Sequence, residues 1–142
     1  MHKIGRLGLE VPSDFVADEA TLSFVTRQEP KGPRRSILAH CKQAPPGSSL
    51  VKLAGDALSE LTQSVRGITD VSQAEIQFDD GKIGIMLVYN YPARKQEVLR
   101  QYYAMRLDGD QVTTLTLSAM LGELDDAAAQ GFLKTIGSLK AT

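Results

Sequence analysis

The stretch Val98 to Met120, VLRQYYAMRLDGDQVTTLTLSAM, restricts the possible folds of this chain more than any other. It reads as two long β-strands joined at Asp108-Gly109-Asp110, because β-branched and aromatic residues fill both runs and the middle holds the Gly and Asp that a reversal needs. The more apolar positions are Leu99, Tyr103, Met105 and Leu107 in the first strand and Leu115, Leu117 and Ala119 in the second. All are odd-numbered. Strand side chains alternate between faces, so putting both sets on one face requires a loop with an odd number of residues. A three-residue Asp108-Gly109-Asp110 connection is expected on this ground.

A second hairpin precedes it. Val71 to Phe78 and Lys82 to Tyr91 alternate in the same way, and a two-residue Asp80-Gly81 turn pairs Phe78 with Ile83, Ile76 with Ile85 and Ala74 with Leu87. A five-residue loop, Pro92 to Gln96, then pairs Tyr89 with Leu99 and Ile85 with Tyr103. Four strands thereby share one apolar face.

The remaining segments supply further strands and two helices. Ile4 to Val11 alternates Leu7, Leu9 and Val11 with Arg6, Gly8 and Glu10, as a half-buried strand does, and Pro12-Ser13-Asp14 ends it. Leu22 to Arg27 and Ser36 to Gln43 read as strands, with Gln28 to Arg34 a solvated turn between them. Ser48 or Ser49 can cap a helix in which Leu50, Leu53, Ala54, Ala57, Leu58, Leu61 and Val65 form one apolar stripe, and Gly67 stops it. Asp125 caps a second helix whose stripe is Ala128, Phe132, Ile136 and Leu139. The expected fold is α+β, a single domain over residues 1–142 with an antiparallel sheet of about six to seven strands and two packed helices.

Charge and motif content narrow the function. The 16 basic residues are balanced by 17 acidic ones, so no excess of positive charge exists to hold nucleic-acid phosphates. No apolar run has the length of a membrane span or the form of a secretory leader, which points to the cytoplasm and against stable membrane insertion. Cys41 is the only cysteine, so no intrachain disulfide can form. His40 and Cys41 are the sole nucleophile-base pair in sequence, yet neighbours on a strand point to opposite faces and cannot bond each other. His2 stands alone as a second histidine, Asp79-Asp80 and Asp125-Asp126 sit where a turn and a helix start need Asp, and no Gly-rich phosphate loop joins a strand to a helix. Neither an enzyme nor a cofactor or metal site is expected.

Several local patterns carry a family resemblance. They are Leu9-Glu10-Val11-Pro12-Ser13-Asp14-Phe15, Pro45-Pro46-Gly47-Ser48-Ser49-Leu50, Leu99-Arg100-Gln101-Tyr102-Tyr103-Ala104 with Gly109-Asp110-Gln111-Val112 and Leu115-Thr116-Leu117, and Ile136-Gly137-Ser138-Leu139. In these the chain resembles the DcrB-like family, of PsbP-like fold, and is most similar to the EagR effector-associated chaperones of type VI secretion. It has Phe15 where the family usually has Trp. The resemblance implies a homodimer without catalytic activity that cradles the hydrophobic transmembrane helices of a secreted effector.

The sheet face opposite the expected helix-covered one is where such a client or a second subunit would sit. On the expected register that face carries Met86 and Val88, then Val98, Tyr102 and Ala104, then Val112, Thr114, Thr116 and Met120. A solvated face would be mostly polar, whereas adaptable Met side chains beside small hydroxyl residues suit a variable apolar partner. The N-terminal strands or the second helix are the alternative cover.

Overall fold

A computed structural model describes residues 2–4, 7–13, 15–18, 23–26, 35–93 and 96–141. Ten strands and two helices follow in order: β1 (His2–Ile4), β2 (Leu7–Leu9), β3 (Phe15–Asp18), β4 (Ser23–Thr26), β5 (Arg35–Gln43), α1 (Leu50–Ser64), β6 (Thr69–Gln77), β7 (Ile83–Pro92), β8 (Val98–Asp108), β9 (Gln111–Met120), α2 (Asp126–Gly137) and β10 (Lys140–Ala141). Seven of the strands form one antiparallel sheet in the order β3-β4-β5-β9-β8-β7-β6, and β1, β2 and β10 form a small second sheet. This is the α+β architecture expected from the sequence. The single strand expected over residues 4–11 is instead a short hairpin, in which Ile4 faces Leu7 and β2 is flanked by β1 and β10. Leu7, Gly8 and Leu9 are consequently all buried, and the apparent alternation did not mark a solvated face. The expected strand at residues 22–27 is seen as β4, while residues 22, 27 and the turn at 28–34 lie outside the described residues.

Both helices start where their caps dictate. The Ser49 side chain accepts a hydrogen bond from the Lys52 amide, and Asp125 Oδ1 accepts one from the Ala128 amide at 2.8 Å, which satisfies donors that the first turn leaves open. Helix α1 ends at Ser64, short of Gly67, with Val65 in extended conformation.

The two expected hairpin turns are exchanged, with consequences for every face assignment. Asp108 pairs directly with Gln111, so β8 and β9 are joined by two residues, Gly109 and Asp110, and not by three. Between β6 and β7 the Phe78 amide donates to the Lys82 carbonyl at 2.8 Å and Gln77 pairs with Ile83, which makes Asp79-Asp80-Gly81 a three-residue loop and not a two-residue turn. The reason lies in which residue takes positive φ. At Asp80-Gly81 only the glycine does, at +87°, whereas a two-residue turn of the I′ type needs positive φ at both centres. At Gly109-Asp110 again only the glycine does, at +62°, and a Gly in first place suits a two-residue turn of the II′ type. The β7–β8 pairing also differs from expectation by two residues, with Tyr91 opposite Leu99 and Leu87 opposite Tyr103, which leaves its face parity unchanged.

The main core lies on the face carrying the even positions of β8. Ala104 of β8, Leu115, Leu117 and Ala119 of β9, and Ile37 and Ala39 of β5 meet Phe132 and Ile136 of α2 and Ile4, Leu7 and Leu9 of the small sheet. Helix α2 and the small sheet thus close this face, and each fully buried Leu, Ile or Phe contributes about 1.5–3 kcal/mol. Ser138 ties the two layers together, its hydroxyl accepting from the Glu10 amide at 3.0 Å and lying 2.6 Å from the Thr135 carbonyl.

At one margin of this core sits Arg106, 1% exposed. Its Nε donates to Asp108 at 2.8 Å, its Nη1 to the Leu139 carbonyl at 2.8 Å and to Asp80 at 3.2 Å, and its Nη2 to Asp80 at 3.0 Å and to Asp108 at 2.9 Å. All five guanidinium protons are used. The same Asp80 accepts from the Ala141 amide at 3.0 Å, and the guanidinium stands 5.0 Å from the centre of the Phe78 ring. The Arg106 hydrogen bonds hold the Asp80 carboxyl at about 2, below its ordinary 3.8, with the Ala141 and Lys82 amides adding to the effect against the cost of burial.

Replacing Asp80 with Asn leaves Arg106 buried with one carboxylate, and a loss of about 2 kcal/mol is expected in urea unfolding at pH 7. Because the folded-state pKa lies below the unfolded one, the Asp80 contribution is complete above about pH 4 and disappears as the pH falls toward 2. The wild type should therefore lose stability steeply over that interval, and the difference from the Asp80→Asn variant should shrink over it. An unchanged difference at pH 2 would show that the charge is not what Asp80 contributes.

Candidate functional site

The residues expected to make one exposed surface lie on two opposite faces. Met86, Val88, Val98, Tyr102 and Ala104 are on the α2 side of the sheet. There Val88 and Ala104 are buried, Tyr102 sets its ring edge-on to Phe132 with centroids 5.6 Å apart, and Met86 packs on the same core. Val112, Thr114, Thr116 and Met120 are on the other side, with Val112 buried beneath Leu50 and Leu53 of α1, Thr114 buried, and Thr116 and Met120 half-buried. The two-residue turn at Gly109-Asp110 is the cause. Removing one residue from the expected loop turns β9 over relative to β8, so Tyr102 lies beside Leu117 and Thr116 lies beside Tyr103.

An open site does exist, on the α1 side. The chain leaves β5, passes through α1 and returns as β6 at the far edge of the sheet, so the helix must cross β9, β8 and β7 on the way. Fifteen residues at ~1.5 Å each give ~22 Å, comparable with four strand spacings of ~4.8 Å. Its first half packs Leu50, Leu53 and Ala57 on Met105, Leu107 and Val112. A cleft of about 300 Å³ remains beside its second half. Leu87, Tyr89, Tyr91 and Tyr103 form the floor. Ala57, Leu61 and Val65 form the helical wall, with Glu60 and Ser64 at its polar rim. Beyond Tyr103 the floor continues into Thr116, and beyond Tyr89 into Gln101 and then Ser118, the cross-strand neighbours on β8 and β9.

Burial sets the ionisation of the floor. Tyr89 is 4% exposed and its phenol is pushed up to about 12, chiefly by desolvation and further by the neighbouring Tyr103 and Tyr91. Burial also raises Tyr103, against a hydrogen bond from Thr114 that lowers it, and the negative charge of Glu60 adds to the rise. Phenols held this far above neutrality carry hydrogen-bonding hydroxyls and no base. His40 lies exposed on β5 outside the cleft and Cys41 packs against the core on the opposite face, so the pair is separated as expected. Among the described residues no group of three or more His, Cys, Asp or Glu could hold a metal ion. The arrangement offers apolar walls, an aromatic floor and one carboxylate, which is equipment for binding.

The tyrosines were not singled out from the sequence, although the signal was present: Tyr89, Tyr91 and Tyr103 all fall on one face once strand alternation is applied. The face that α1 covers, with Tyr103, Met105 and Leu107, is the helix-covered one expected, whereas how far the helix packs along it and which face α2 covers were not readable.

No family model and no curated protein matches the sequence. Solved structures do match the fold. The protein of unknown function PA94 from Pseudomonas aeruginosa superposes with a TM-score of 0.66 at 14% identity, over 92% of this chain and 96% of that one. The Saccharomyces cerevisiae Ran-binding protein Mog1p gives 0.65 at 14% identity, over 96% and 90% of the two chains. The fold is that of Mog1p. LpqN of Mycobacterium tuberculosis, involved in cell envelope biogenesis, gives 0.64 at 18% identity over 96% of this chain and 83% of that one. This likeness agrees with the PsbP-like α+β architecture expected from the sequence. Among the described residues no helix is long and apolar enough to cross a membrane.

The state of Tyr89 is directly measurable. Absorbance titration at 295 nm should show one of the four tyrosines ionising near pH 12, and Tyr89→Phe should remove that step. Since its folded pKa is raised, this tyrosine stabilises the fold fully below about pH 10 and less as the pH climbs toward 12. Four equal ionisations near pH 10 would contradict a buried Tyr89.

Proposed function

We propose that this chain is a non-catalytic protein-binding adaptor whose docking site is the cleft between α1 and strands β7 and β8, and that its partner is the apolar segment of a secreted type VI effector. The observation that carries the docking site is an open, tyrosine-floored cleft without a nucleophile-base pair. An enzyme of comparable build would gather convergent titratable groups, and this cleft has Glu60 alone besides phenols. The effector as client is supported by the EagR-like sequence patterns, and a protein partner of some kind is also supported by the shared fold with the Ran-binding protein Mog1p.

The dimensions limit how a helical client is held. A helix is ~10–12 Å across with its side chains, far larger than a 300 Å³ cleft, so the cleft takes an anchoring side chain while the helix body lies along the half-buried Gln101 and Thr116. The small Thr116 side chain permits close approach there and its hydroxyl can bond polar groups of the client. Covering ~500 Å² of a client's apolar surface would offset roughly 12 kcal/mol before ordering costs, without nucleotide hydrolysis. The homodimer implied by the EagR resemblance would double the available surface. A generic adaptor with a folded protein as partner is the alternative, and the client experiment separates the two.

Co-expression with an effector N-terminal region carrying apolar helices should yield a soluble copurifying complex. Ala57→Gln, which puts a longer side chain at the helical wall of the cleft, should reduce the recovered client at least severalfold with the far-UV circular dichroism unchanged. Met86→Gln, on the α2 face, should leave recovery as in the wild type. A client equally soluble without this protein would defeat the escort function, and undiminished recovery with Ala57→Gln would remove the cleft as its docking site.

A further inference from the structure

The cleft has a charge that a plain apolar slot does not need. Glu60 is its only ionised lining residue, it stands exposed at the rim, and no Lys or Arg among the described residues lines the space. Its field reaches the floor, since it acts on Tyr103. Opposite it lie three phenol rings, and the negative face of an aromatic ring attracts an organic cation. Leu61, Val65 and Leu87 supply the apolar stretch against which the methylene stem of a long basic side chain packs while its head reaches the polar end.

We infer that the cleft between α1 and β7–β8 is a site for an arginine or lysine side chain of the partner polypeptide, its stem along Leu61 and Val65 and its cationic head between the tyrosine floor and Glu60. The inference rests on the docking reading above and adds the chemistry of the anchor. Charge complementarity decides the occupant. An acidic anchor would oppose Glu60, and a purely aliphatic one would fill the walls and gain nothing from the carboxylate, which stays hydrated at the rim. A cleft of about 300 Å³ takes one such side chain and not a folded element. For an apolar helical client, the anchor is a basic residue flanking the apolar run, where Lys and Arg are common at the ends of membrane-spanning helices.

The chain has no Trp, and three of its four tyrosines line the cleft, so tyrosine emission reports on this site with little background. N-acetyl-arginine methylamide, titrated at millimolar concentration into the ¹⁵N-labelled protein, should shift the amides of the second half of α1 and of β7 from Leu87 to Tyr91, with a parallel change in tyrosine emission. The citrulline counterpart, isosteric and uncharged, should bind about threefold or more weakly, and so should the norleucine counterpart. Glu60→Gln should cancel the preference for arginine over citrulline, while Glu75→Gln on the exposed edge strand should not. Equal binding of arginine and citrulline probes, tighter binding of norleucine, an unchanged preference in Glu60→Gln, or shifts confined to other parts of the sheet would each overturn the basic anchor. None of those outcomes alters the client recovery measured with Ala57→Gln, so the anchor can fail while the docking site stands.

Discussion

Arg106 is the constraint on which the rest of this structure depends. A guanidinium that is 1% exposed must have every proton paired, since an unpaired buried charge costs several kcal/mol. Here the partners come from three separated parts of the chain: the β6–β7 loop through Asp80, the end of β8 through Asp108, and the segment after α2 through the Leu139 carbonyl. Asp80 extends the connection to β10 by accepting from Ala141. The network joins the large sheet to the small one at the end of the chain. The β6–β7 loop is also held by the Asp79 amide donating to the Gly137 carbonyl at 2.8 Å, so the C-terminus of α2 is fixed to the same turn.

This network accounts for where sequence reading succeeded and where it slipped. Periodicity alone located both helices, their caps and the strands from β5 to β9, because those signals are local. The turns were a different matter. Asp-Gly at 80–81 and Asp-Gly-Asp at 108–110 both look like hairpin turns, and alternation of apolar residues was used to choose between loop lengths. That choice assumed that Tyr103, Leu107, Leu115 and Leu117 share a face, but Leu115 and Leu117 belong with Tyr102, Ala104 and the buried Arg106. An arginine among core residues reads as a solvated position, and so the true core face of β8 was taken for the open one. Its compensating carboxylates lie 26 and 2 residues away, and only the fold brings the first of them close.

The candidate surface moved for the same reason. With β9 turned over, the Met86, Val88 and Tyr102 side is closed by α2 and the small sheet, and the Thr114, Thr116 and Met120 strip comes to lie beside Tyr103 and Leu99. What remains open follows from the path of α1. A helix that must reach from β5 to the far edge crosses the sheet diagonally, and its first half seats Leu50 and Leu53 at the Leu107 and Val112 end. Its second half runs beside Leu87, Tyr89, Tyr91 and Tyr103, and the cleft lies between them.

The two faces are closed differently. The Arg106 network, α2 and the small sheet close one side, and on the other α1 seats on Met105, Leu107 and Val112 and leaves the cleft beside it. Glu60 and Ser64 are exposed at the rim and belong to neither buried cluster. Solved structures keep this architecture at 14–18% identity, and a fold shared at that level does not carry a site with it. What distinguishes the cleft is its own chemistry, three phenols, an aliphatic wall and a carboxylate, and the shared fold accounts only for how they are held in place.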